Sequence, residues 1–150
     1  MIIKIENVFK DYLKYFVDMN YRRKASNFII SEIDNKVYMS EGHILCVLDK
    51  EFYKIPFITQ SAPDMSRIID KNADKIVYVS EYTINITGIE CFVILDDEGR
   101  EITYLNRKML EKWFNIKDCE LVMTNLDNKS PVYIKYLDQI QGLILPIRKV

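Results

Sequence analysis

The chain has 150 residues, 49% of them hydrophobic and 29% charged, which makes one ordinary domain with a core to bury and excludes a disordered or fibrous chain. Lys and Arg number 21 against 22 Asp and Glu, and the net charge of -1 excludes a globally basic nucleic-acid coat while leaving room for a basic face. No apolar run approaches the roughly 18–20 residues of a membrane span, and residues 1–6 lack a signal-peptide plan, so a soluble, cytoplasmic protein is expected.

Residues 1–6 read as a short strand, with Ile2, Ile3 and Ile5 apolar. Asn7 suits the cap of a helix over 8–21, where Phe9, Leu13, Phe16 and Val17 gather on one face. Lys10 and Lys14 lie on another face beside Asp11 and Asp18, and the basic loop Arg22-Arg23-Lys24 follows. Three strands are predicted over 27–33, 37–40 and 43–48, with turn signals at Asp34-Asn35 and Glu41-Gly42. Residues 52–59 suggest a fourth, on an edge because of Pro56. The stretch 60–75 reads as an internal connection with a short helix near 65–70, since it is not rich in Gly and Ser.

In the second half, 75–79 and 83–87 look like strands, and 90–95 with 101–104 form a hairpin across Asp96-Asp97-Glu98-Gly99. A helix capped by Asn106 is predicted over 106–115, and strands over 119–124, 132–136 and 142–147 close the chain. Each half thus contains strand, helix, then three strands. The expected fold is a single α+β domain over 1–150, duplicated as half-repeats at about 1–59 and 75–150, with antiparallel sheets and two helices on one face.

Few residues carry catalytic chemistry. Cys46, Cys91 and Cys119 are widely spaced in apolar stretches, as buried free thiols of a reducing compartment are, and no CxxC pair occurs. His43 is the single histidine, so a zinc site has little to work with. Asp96, Asp97 and Glu98 are explained by turn chemistry. The phosphate-loop, dinucleotide, nucleophile-elbow and HExxH patterns are all absent. No enzyme, cofactor or metal is expected.

The C-terminal third is more specific. Tyr104-Leu105-Asn106-Arg107-Lys108-Met109-Leu110, then Cys119-Glu120-Leu121-Val122-Met123-Thr124, Ser130-Pro131-Val132-Tyr133-Ile134-Lys135 and Leu143-Ile144-Leu145-Pro146-Ile147-Arg148 resemble, in order and spacing, the last half-domain of bacterial sliding clamps. Those are the processivity-factor (beta) subunits of replicative DNA polymerase. Val37-Tyr38-Met39-Ser40-Glu41-Gly42-His43-Ile44-Leu45 is similar to a clamp segment written Ala-Thr-Asp-Gly-His-Arg-Leu, with Ile44 standing where the family has an Arg that can touch DNA. The resemblance covers one clamp domain, whereas a bacterial subunit has three.

The resemblance implies non-specific binding of double-stranded DNA by Lys10, Lys14, Arg22, Arg23, Lys24, Arg107, Lys108 and Lys112, through phosphates and without reading bases. An ordinary solvated helix face has the same pattern. It implies a peptide-binding groove at Leu143, Leu145, Pro146 and Ile147 for replication proteins or a clamp loader, with Tyr133 and Leu137 as weaker candidates nearby; a plain core or edge strand reads the same way. One domain per chain requires head-to-tail association, six copies closing a ring if the rotation allows. The alternative is a monomeric clamp mimic or decoy, borne by a phage or mobile element, that binds a host replication or defence protein without clamping DNA.

Overall fold

The computed structural model describes residues 29–40, 43–49, 65–113 and 118–149. They form one nine-stranded antiparallel sheet. In chain order its strands are β1 (Ile29–Ile33), β2 (Lys36–Ser40), β3 (Ile44–Asp49), β4 (Lys75–Ile86), β5 (Ile89–Leu95), β6 (Glu101–Asn106), β7 (Cys119–Met123), β8 (Val132–Tyr136) and β9 (Gln139–Ile144). The spatial order is β1-β2-β3-β9-β8-β7-β4-β5-β6. One helix, α1 (Arg107–Leu110), continues as a 3-10 turn over Glu111–Trp113, and a second 3-10 turn spans Met65–Ile68.

This corrects the expected α+β fold with two helices. The described residues are an antiparallel sheet with a single four-residue α-helix. The helix predicted over 106–115 gives way to 3-10 geometry after Leu110, because Trp113 turns into the core at 3% exposure. The predicted strand 1–6, helix 8–21 and strand 52–59 lie outside the described residues.

Turn chemistry places the hairpins. Asp34-Asn35, Thr87-Gly88 and Leu137-Asp138 each supply two residues of positive φ, as a two-residue turn matched to strand twist requires. Asp96 shapes the longer β5–β6 turn. Its carboxylate, on a residue only 7% exposed, accepts the backbone N–H groups of Glu98 and Arg100 at 2.9 and 2.8 Å and the Arg100 Nε at 2.7 Å.

β4 was expected as two strands. It is one strand of 12 residues, and the ladder with β5 slips between Val79 and Thr83, where the prediction breaks. The Ser80 hydroxyl repairs the slip by donating to the Tyr82 carbonyl at 2.7 Å and accepting the Val93 N–H at 3.1 Å. β9 begins three residues earlier than predicted and stops at Ile144, since Pro146 has no N–H to extend a ladder.

Alternation along the strands builds a core on each face. The main core takes Val37, Met39, Ile44, Cys46, Val77, Ile94, Leu105, Met123, Ile134 and Ile144, with Leu110 and Trp113 of the helical turn. The other face gathers Tyr38, Leu45, Val47, Val122, Tyr133 and Leu143 under Ala73 and Ile69. Residues of β2 and β6, far apart in strand order, share the main core, so the sheet curls on itself. Past β9 the chain meets β6, where the Ile147 N–H donates to the Tyr104 carbonyl at 2.8 Å.

Candidate functional site

The helical turn was to carry the basic face. Asn106 caps it, its Oδ1 accepting the Lys108 N–H at 3.0 Å. Arg107 then folds back onto β5. Its guanidinium meets Glu90 Oε1 at 2.6 Å and Glu111 Oε2 at 3.3 Å, and lies 5.8 Å from the centroid of the Phe92 ring. Glu90 also accepts the Thr83 hydroxyl at 3.0 Å. Arg107 first, and Thr83 second, hold the Glu90 carboxyl below its ordinary range, while Glu90 raises the guanidinium. Arg107 is therefore paired with two carboxylates of its own chain, though at an exposed site where such pairs are weak.

Lys108 is exposed beside it, and the side chain of Lys112 is not among those described. Lys10, Lys14, Arg22, Arg23 and Lys24 lie outside the described residues. Among the described residues Asp and Glu outnumber Lys and Arg. Of the eight cations predicted to meet DNA, the structure thus brings Arg107 and Lys108 side by side.

The predicted peptide groove spreads over different environments. Leu143, 4% exposed, packs in the second core against residues such as Tyr133. Leu145 is 39% exposed and donates its N–H to the His43 carbonyl at 2.9 Å, while Pro146 and Ile147 are half-buried. Tyr133 is buried, its hydroxyl accepting the Asp70 N–H at 3.2 Å and reaching the Ile68 carbonyl at 3.4 Å. Leu137 projects from the β8–β9 turn at 60% exposure. His43 sits at the foot of β3, and among the described residues no group of His, Cys, Asp and Glu could hold a metal ion.

A cleft missed by the sequence reading opens between β4 and β7. The two strands pair only from Lys75↔Met123 to Val77↔Leu121; β4 then leaves to follow β5. The gap is about 380 Å³, within the range of small ligand sites. By strand alternation Ile76, Tyr78 and Glu120 line one face of it and Val77, Val79, Cys119 and Leu121 the other, over Leu110, Trp113 and Ile134. Ile76 and Tyr78 are 45% and 51% exposed, a large apolar outlay for solvent. Desolvation first, and Asp118 second, push the Cys119 thiol up to about 12, which leaves it neutral and a poor nucleophile. Among the described residues of the lining Glu120 is the charged one, and it stands opposite Lys135 in the β7–β8 ladder. No sequence signal marks the cleft, since β4 and β7 are 33 or more residues apart and neither contains a binding motif.

No described helix is long and apolar enough to cross a membrane. The chain matches no protein family, no curated protein and no solved structure, so the likeness to sliding clamps rests on the residues quoted for it.

Proposed function

We propose that this chain is a non-enzymatic interaction domain that seats an extended apolar segment of a partner protein in the slot between β4 and β7. The observation that carries the reading is the slot itself: apolar walls, a Trp113 floor, and the exposed Ile76 and Tyr78 at its mouth. A large apolar side chain of the partner enters between the strands, and a neighbouring Lys or Arg meets Glu120, the charged residue among the described lining. Three free cysteines, two buried and one half-buried, suit a cytoplasmic setting.

This is the decoy or adaptor reading of the clamp resemblance. DNA encirclement is the second reading: of its eight cations, Arg107 is already paired with Glu90 and Glu111, and Lys10, Lys14, Arg22, Arg23 and Lys24 lie outside the described residues.

Trp113 is the only tryptophan of the chain and reports on the slot directly. Selection of 12-residue peptides from a displayed random library on the full chain is expected to enrich an apolar residue next to Lys or Arg. The enriched peptide, synthesised, is expected to change Trp113 fluorescence and to bind about tenfold more weakly to Tyr78→Ser and to Glu120→Lys. Peptides that bind both variants as well as the parent chain would overturn the reading.

A further inference from the structure

We propose that the slot between β4 and β7 is a strand acceptor. The partner's segment enters it as an added strand, hydrogen-bonded through its main chain to Val79 on one wall and to Cys119 on the other. This rests on the reading of the slot as a docking site, and it names how the segment is held. Along a β-strand the N–H and C=O of one residue point to one neighbouring strand, and those of the next residue to the other. Fixing that direction at one residue fixes it along the whole strand.

Hydrogen bonds on either side of the slot set the direction. On β6 the Tyr104 carbonyl accepts the Ile147 N–H at 2.8 Å, so Tyr104 faces away from β5 and its ladder partner Val93 faces β4. The Val93 N–H indeed donates to the Ser80 hydroxyl of β4 at 3.1 Å. Leu95 shares that direction, so its partner Tyr78 faces β5, and Val77 and Val79 face β7. From the other side, the Leu145 N–H donates to the His43 carbonyl at 2.9 Å, which turns Leu143 to β3 and Gly142 to β8. Ile134, the partner of Gly142, then faces β9, and Leu121, opposite Ile134, faces β4 together with Cys119. The two routes agree at Val77↔Leu121, the last pair before β4 leaves.

The next bonded pair of this ladder would be Val79 with Cys119. Both line the slot, and the ladder ends before them. Each aims one N–H and one C=O into the slot, the groups to which an added strand binds. These main-chain groups commit the slot to an extended peptide segment. β4 and β7 are antiparallel, so the added strand runs antiparallel to one wall and parallel to the other. In either direction the N–H groups of two consecutive residues reach the Val79 and Cys119 carbonyls. Consecutive side chains point to opposite faces, which sends the apolar one toward Trp113 and its neighbour toward the face that holds Glu120.

N-methylation of the peptide enriched on the slot, one residue at a time, tests this with the full chain. Methyl groups on two consecutive amides are each expected to weaken binding at least about tenfold, and those elsewhere less than about threefold. By NMR, bound peptide is expected to slow hydrogen exchange of the Val79 and Cys119 amides at least about tenfold, while the amides of Tyr78 and Glu120, which face β5 and β8, keep their rates. Suppose Tyr78→Ser still weakens binding. N-methyl peptides that all bind within about threefold of the parent, or Val79 and Cys119 amides that keep their rates, then overturn strand addition and leave the slot reading in place. A peptide indifferent to Tyr78→Ser, or a selection that enriches none, overturns the slot reading and strand addition with it.

Discussion

Leu137 and Asp138 hold φ of 47° and 64° in the turn between β8 and β9. The left-handed region costs a side chain with a Cβ about 1–2 kcal/mol, least where Asn or Gly takes it. Asp34-Asn35 meets that geometry with suitable residues and is legible as a turn from sequence; Leu137 offers no such signal, because the pairing of β8 with β9 imposes the conformation on it. Leu137 is 60% exposed, so little packing is lost on replacing it. Leu137→Asn is expected to stabilise the fold by about 1 kcal/mol, measured as a higher urea midpoint with unchanged slope; a lower midpoint would show that the leucine has a packing role. Arg107 makes the complementary point. Its neighbours in sequence make it look like part of a basic face, yet its nearest carboxylate is Glu90, 17 residues earlier, brought beside it by the β5–β6 hairpin.

Single elements were legible where their signals are local. The Asp96–Gly99 turn and its two strands, the Asn106 cap and the strands β7 and β8 all follow from residues within a few positions of one another. β4 was not, because only pairing with β5 on one side and β7 on the other joins its two halves across the Ser80–Tyr82 irregularity. β9 depends on a close approach as well. A Cβ on Gly142 would stand 2.9 Å from the backbone carbonyl oxygen of Leu45, with Ile134 and Trp113 filling the remaining space at 3.6 Å. Backbone cannot yield as a flexible side chain can, so Gly142→Ala must push β9 from β3. A loss of about 1–3 kcal/mol is expected, read as a lower urea midpoint; full retention of stability would contradict so close a contact.

For the whole molecule, four carboxylates tie distant parts of the chain or shape its turns. Asp70 accepts the Thr124 hydroxyl at 2.6 Å, 54 residues away, and that bond foremost holds its pKa down. Backbone donors do the same for Asp96, through Arg100, and for Asp127, through Lys129, while Arg107 does so for Glu90. A carboxylate with a folded pKa below its unfolded value stabilises the fold above about pH 4 and loses that contribution as pH falls through the folded value. The urea midpoint is therefore expected to hold from pH 7 to about 5 and to fall on the way to pH 3; a midpoint flat across that range would mean these bonds do not favour the folded state. The sequence by itself determined composition class, the β-rich pattern of the second half, the turns at Asp34-Asn35 and Asp96–Gly99 and the free state of the thiols, because alternation and turn residues act over a few positions. Only the tertiary structure decided that the described strands join into one curled sheet instead of an α+β fold with two helices, that Arg107 pairs with Glu90, and that a slot opens where β4 leaves β7, because each depends on which distant strands become neighbours.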